Sequence, residues 1–363
     1  MTMPGPGLDF TYTGLPARVV FGTGTLARVR AEAERLAIRR ALVLTTPAQT
    51  AHGGRVIDQL GDRAAGAFHG AAMHTPVEVT RAALDVAREL SADGIVAIGG
   101  GSTIGLGKAI AVRTGLPQLA IPTTYAGSEM TPILGETEGR QKTTRSSPDI
   151  LPETVIYDVE LTLGLPAAMS GTSGLNAIAH AAEALYARDA NPLVSLMAEQ
   201  GIAALARALP AIARDPGQRS ARGDALYGAW LCGMCLGAVG MALHHKLCHV
   251  LGGGFHLPHA ETHTIVLPYA VAYNAAAAPE AMARIARALG AADAGELAAA
   301  VALYDLAGAV GAERSLAAIG MPADGLDRAA DLAVANPYWN PRPLERAAIR
   351  DLLERAFTGA RPA

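Results

Sequence analysis

"DGIVAIGGGSTIGLGKAIAVRTG", residues 93–115, decides the fold. Ile95–Ile98 form a short aliphatic run, the composition of a strand buried on both faces. Gly99, Gly100 and Gly101 end that run, and Ser102 and Thr103 stand where a helix begins. Apolar residues then recur at helical spacing as far as Val112. Strand, glycine turn and helix make half of a βαβ unit, which requires a parallel sheet.

The same alternation extends outward. "RVVFGTG" (18–24), "RRALVLTTP" (39–47), "AAGAFHG" (64–70), "LPQLAIPTTYAGSE" (116–129) and "TVIYDVEL" (154–161) read as strands with turns. After "LTLGLPAAMSGTSG" (161–174) the strand pattern stops. Helical periods cover 172–187, 191–213, 220–250, 264–289, 294–320, 323–334 and 343–357. The expected fold is a Rossmann-like α/β N-terminal domain with a parallel sheet, residues 1–163. An all-α C-terminal domain, residues 164–363, carries substrate and catalysis.

Composition narrows the function. The 363 residues carry a net charge of −3, with no basic stripe to bind nucleic acid. No basic start precedes an apolar run, so no signal peptide is expected. No run of about 18 apolar residues escapes charge or glycine, so no membrane span is expected. Cys232, Cys235 and Cys248 are an odd set of thiols, which fits a reducing, cytoplasmic setting. The CxxC of Cys232 and Cys235 has no second pair to complete a zinc site. It reads as two small apolar side chains on one helix face.

The glycine turn offers chemistry. Backbone N–H groups at a helix start, aided by the helix dipole, bind anions, and glycine lets a pyrophosphate approach. Gly100, Gly101, Ser102 and Thr103 are the first contacts expected. The loop after the next strand adds Thr123, Thr124 and Ser128. A third loop, "LTTPAQ" (44–49), adds Thr45 and Pro47. Polar loops at the carboxyl ends of neighbouring strands mark a dinucleotide crevice. No acidic residue stands in 44–49 to oppose a 2′-phosphate, so NADH or NADPH is expected.

Histidines concentrate later. Asn176 and His180 lie one helical turn apart, as do His245 and His249, and His259 follows Pro258. His244, His256 and His263 complete six imidazoles within residues 244–263. This density points to a functional pocket.

GGGST, IPTTYAGSEMT, NAIAH, HHKLCH and LPHAETH together resemble the maleylacetate reductases of the iron-containing alcohol dehydrogenase superfamily. The resemblance runs from about Thr13 to "NPYWNPRP" (336–343). It implies the dehydroquinate synthase-like fold and a homodimer. It also implies NAD(P)H-dependent reduction of the C=C bond of maleylacetate, or a substituted maleylacetate, to 3-oxoadipate in aromatic-compound degradation. The partner would be a small unsaturated keto-dicarboxylate. Metal-using relatives draw four ligands from positions matching Asn176, His180, His245 and His259. An amide at the first position is a poor ligand for a hard cation, and the resemblance implies a metal-free pocket. His249 is then the expected proton donor, with His180, His245 and His259 donating to the developing oxyanion or a carboxylate. Lys246, Lys142 and Arg342 are expected to attract carboxylates, and Tyr125 to bond substrate. "KTTRSSPDILP" (142–152) departs from the family form after KTT, which leaves room for a substituted substrate. The rival readings are a metal-dependent alcohol dehydrogenase, a dehydroquinate synthase-like lyase and a non-catalytic scaffold.

Overall fold

The computed structural model describes residues 10–15, 17–139, 141–291, 295–336 and 338–362. They form two compact units, Gly14–Leu165 and Pro166–Ala363, the latter joined by the described residues up to Thr13.

The first unit runs β1 (Arg18–Gly22), α1 (Val29–Arg35), β2 (Ala41–Leu44), α2 (Thr50–Leu60), β3 (Ala64–Phe68), α3 (Val77–Glu89), β4 (Gly94–Gly99), α4 (Gly101–Thr114) and β5 (Gln118–Pro122). It continues with β6 (Ile133–Glu138), β7 (Gln141–Ser146) and β8 (Thr154–Asp158). Six strands form a parallel sheet in the order β1-β8-β5-β4-β2-β3, while β6 and β7 pair as an antiparallel hairpin. Every residue of β4 is buried, as expected for a strand with helices on both faces. Val96 and Ile98 pack with Val29, Val56 and Leu60 from α1 and α2. On the other face α4 lies close to β4. A Cβ on Gly107 would come within 3.1 Å of the Ala97 Cβ, so glycine permits that approach.

The winding direction reverses between β2 and β4. From β2 the chain moves outward to β3; from β4 it moves the other way to β5 and β8. In open α/β sheets the loops at the carboxyl ends flanking such a reversal form the ligand crevice. Those loops begin at Thr45 and Gly100.

The second unit is helical. It comprises α5 (Ala167–Leu185), α6 (Pro192–Arg214), α7 (Arg219–Ala238), α8 (Leu243–Phe255), α9 (His259–Asn274), α10 (Pro279–Ala288), α11 (Ala298–Ala309), α12 (Leu326–Val334) and α13 (Arg346–Thr358). From Ser170 to Leu185 every residue of α5 is buried, so its polar residues must find partners inside the protein.

Three expected helices are shorter than their periodicity. The helix expected over 220–250 breaks between Ala238 and Leu243, and α7 and α8 meet at 95°. Gly240 N–H donates to Asp189 Oδ1 at 3.0 Å, and the Glu183 carboxylate takes the first N–H groups of α8. The segment 264–289 divides at Asn274, whose carbonyl closes the turn, and Pro279 starts α10. In 294–320 the helix is α11, ended at Gly311 with φ 70°; residue 294 lies outside the described residues. Among the described residues no single helix is long and apolar enough to cross a membrane.

Candidate active site

The glycine turn is built as an anion site. Gly100 is the N-cap of α4, and no side chain caps the helix, so first-turn N–H groups stay available. Thr103 Oγ1 and Ser128 Oγ are buried and have no partner in the protein. Buried hydroxyls normally find one. A Cβ on Gly101 would meet only Ser128 Oγ, at 3.9 Å, so that hydroxyl sits beside the helix start. Gln49, from the loop after β2, donates its amide to Thr123 Oγ1 at 2.9 Å and ties two of the loops together. The sequence reading missed Gln49. Its signal was a polar side chain within the strand-end loop.

Behind this turn lies a buried polar knot. Lys108, on α4, is 1% exposed. Its Nζ donates to the Ser128 carbonyl, to Thr131 O at 2.8 Å, to Thr131 Oγ1 at 3.0 Å and to Ile133 O at 3.0 Å. Burial pushes the ammonium down to about 7, and nearby Glu129 opposes that shift. Four oxygen acceptors also favour the three-proton ammonium. Glu129 is raised by burial and accepts from the Tyr157 hydroxyl at 2.7 Å.

In the helical unit the imidazoles form a hydrogen-bonded chain. Glu183, one turn past His180 on α5, is fully buried. Its Oε2 accepts Ala242 N–H at 2.8 Å, and its Oε1 accepts His244 N–H at 2.7 Å. An ionised carboxylate only accepts, so His245 Nδ1 donates to Oε2 at 2.7 Å. His245 Nε2 meets His180 Nδ1 at 2.8 Å. With His245 neutral, His180 Nδ1–H donates to it and leaves His180 Nε2 as the ring's remaining nitrogen. A second pair lies alongside, His244 Nε2 and His263 Nδ1 at 2.9 Å. Burial, then the neighbouring imidazoles, push both well below the ordinary imidazole range, so both are neutral near pH 7.

The structure sorts the expected site residues. His180 and His245 are brought together and buried. His249 and His259 are exposed on α8 and α9, and the His259 ring lies 4.3 Å from that of His263. Gly100, Gly101, Ser102, Thr103, Thr123, Thr124 and Ser128 lie in the turn after β4 and the loop after β5. Thr45 departs from its expected role: it is fully buried, and its hydroxyl engages His69 Nδ1 at 2.6 Å and the Thr46 carbonyl. Pro47 starts a short 3₁₀ turn. Tyr125 is fully buried, which takes its ring away from the surface. Lys246 Nζ stands 5.6 Å from the Tyr338 ring centre. Arg342 stacks 4.2 Å from the centre of the Tyr273 ring and donates to its carbonyl. These aromatic contacts occupy both cations that were expected to anchor carboxylates. Lys142 pairs with Thr137 through its backbone, and its side chain lies outside the described residues. Glu183, His244 and His263 were not singled out, although an acid within an apolar helix implies a buried partner.

The inherited ligand positions can be tested for an ion. Two nitrogens on one tetrahedral ion with bonds of about 2.1 Å stand about 3.4 Å apart. His180 Nδ1 and His245 Nε2 are 2.8 Å apart, a direct hydrogen bond. Asn176 supplies an amide whose buried Oδ1 has no partner, an acceptor awaiting a donor. As arranged, these positions do not fit an ion. The ligand-type cluster among the described residues is His244, Cys248 and His263. Its two nitrogens, at 2.9 Å, are likewise hydrogen-bonded.

A parallel-sheet unit with an anion-binding turn, beside a helical unit carrying buried imidazoles, defines a class of nucleotide-dependent oxidoreductases. Family models match on both sides: iron-containing alcohol dehydrogenase over residues 16–159, and the C-terminal part of the Fe-containing alcohol dehydrogenase family over 170–357. The chain belongs to the iron-containing alcohol dehydrogenase family. It is 58% identical to the maleylacetate reductase of Rhizobium sp. (strain MTP-10005), over 97% of this chain and 99% of that protein. The maleylacetate reductase of Agrobacterium tumefaciens superposes with a TM-score of 0.93 at 58% identity, covering 98% of this chain and 99% of its own. A Ralstonia eutropha JMP134 protein, solved as an alcohol dehydrogenase, superposes with a TM-score of 0.97 at 61% identity, covering 98% and 100%.

Proposed function

We propose that this chain is a maleylacetate reductase that uses NADH or NADPH. The observation that carries the reading is the span of the match. It takes in 97% of the chain at 58% identity, and so includes both the Gly99–Ser102 turn and the imidazole chain. The first unit would hold the coenzyme pyrophosphate at the start of α4. Hydride would pass from nicotinamide C4 to the alkene carbon β to the ketone. The C=C electrons then move onto the ketone oxygen as an enolate, and the carbon next to the ketone takes a proton. NAD(P)⁺ and 3-oxoadipate result. Enolate charge needs hydrogen-bond donors placed beforehand. The imidazole chain, with Asn176, His249 and His259, supplies candidates.

We further propose that the reaction is independent of metal. In this family a bound ion is the default, so the point needs its own test. Oxidation of NADH and of NADPH is followed with maleylacetate before and after dialysis against EDTA. The expected result is consumption of both coenzymes and unchanged turnover after chelation. Activity lost to EDTA and restored by Fe²⁺ or Zn²⁺ would instead favour a metal-dependent dehydrogenase. No oxidation with either coenzyme removes the assignment. Three buried free thiols suit a reducing compartment, and we place the enzyme in the cytoplasm as a homodimer.

A further inference from the structure

Lys108 plays no part in the chemistry above, yet it is among the largest fully buried side chains. A buried charge is retained only where several groups satisfy it. All four of its acceptors belong to residues 128–133, the segment that follows the loop after β5. Lys108 itself lies on α4, the helix whose first turn presents free N–H groups. One rigid element therefore carries the anion-binding N–H groups at one end and the grip on the loop two turns later. The gripped segment starts at Ser128. Its hydroxyl is buried, without a protein partner, and next to Gly101.

We propose that Lys108 is a positioning residue for coenzyme binding: it clamps residues 128–133 to α4 so that Ser128 Oγ stands ready beside the helix start. It does this without touching the ligand. The inference rests on the reading that this turn holds the pyrophosphate of a nicotinamide dinucleotide. Preordering a loop lowers the entropy lost on binding. Without the ammonium, four oxygens have no shared donor, and the loop must be ordered by the ligand instead.

The test is coenzyme binding by the full chain in the absence of substrate, titrated by the fluorescence of NADH and NADPH. Lys108→Ala is expected to bind about tenfold more weakly. Propylammonium replaces the atoms removed by that substitution and should restore most of the affinity. Tetramethylammonium at equal ionic strength, which has no N–H to donate, should not. Wild-type affinity in Lys108→Ala overturns the inference, and so does a loss indifferent to propylammonium, which marks a general packing defect. If Lys108→Ala does not fold, Thr131→Val removes one acceptor at nearly constant volume. It should weaken binding about threefold, and unchanged binding overturns the inference. A wild-type protein that binds neither coenzyme overturns the pyrophosphate reading and this inference with it.

Discussion

Replacing Glu183 by glutamine lowers kcat/KM for maleylacetate by about 10²–10³-fold, the scale of losing one preorganised donor at a developing oxyanion. The carboxylate receives three donors: Ala242 N–H, His244 N–H and His245 Nδ1–H. Glutamine keeps one oxygen. If that oxygen faces Ala242 and His245, the amide NH₂ opposes His244 N–H. If the amide is turned over, NH₂ opposes Ala242 N–H and forces His245 to accept at Nδ1. The proton of His245 then moves to Nε2 and points at His180, so the hydrogen-bond chain reverses direction. Either arrangement also leaves a buried donor unpaired, at about 1–3 kcal/mol of stability. Steady-state kinetics and a thermal melt on the same preparation separate the two effects. A folded Glu183→Gln enzyme with full activity would show that the tautomer of His245 does not matter. Glu183→Ala is expected to be worse, because the start of α8 loses its cap altogether.

Glu183 also shows where sequence reasoning runs out. The glycine turn could be read because its causes are local: a buried strand, three glycines and a helix pattern within residues 93–115. The whole α/β alternation follows from such local signals. The break between α7 and α8 has no local cause of that kind. Apolar periodicity continues across it, and the group that caps the new helix is 59 positions away from Ala242. The same distance hid the imidazole chain. Spacing put His245 and His249 on one face, but Glu183 decides which of them is buried and oriented. Thr45 was misjudged for a related reason. Its strand-end position suited a ligand contact, whereas His69, beyond the next strand, takes its hydroxyl. Lys108 reads as an ordinary helix residue until its acceptors, 20 to 25 positions later, are in place.

Replacing Gly99 by alanine is expected to weaken NADH binding by about 100-fold. Gly99 has φ 156°, and an added Cβ would stand 2.4 Å from Thr103 Oγ1, 2.9 Å from Thr103 Cβ and 2.7 Å from Gln49 Oε1. Rotating the Thr103 hydroxyl does not remove the contact with its Cβ. Relief requires moving the first turn of α4 or displacing Gln49 from Thr123, and both carry the anion site. Overpacking of this kind costs about 1–3 kcal/mol; a hundredfold loss of affinity corresponds to about 2.8 kcal/mol. The neighbouring glycines distinguish strain from ligand exclusion. A Cβ on Gly100 would lie 3.0 Å from Thr124 Cγ2, a contact that a side-chain shift can relieve, and one on Gly101 meets only Ser128 Oγ at 3.9 Å. If internal strain governs, the losses fall in the order Gly99→Ala, Gly100→Ala, Gly101→Ala. If the bound phosphate itself needs the space, Gly101→Ala loses as much as Gly99→Ala while keeping the wild-type melting temperature. Equal wild-type affinity in all three would mean that the pyrophosphate does not sit at this turn.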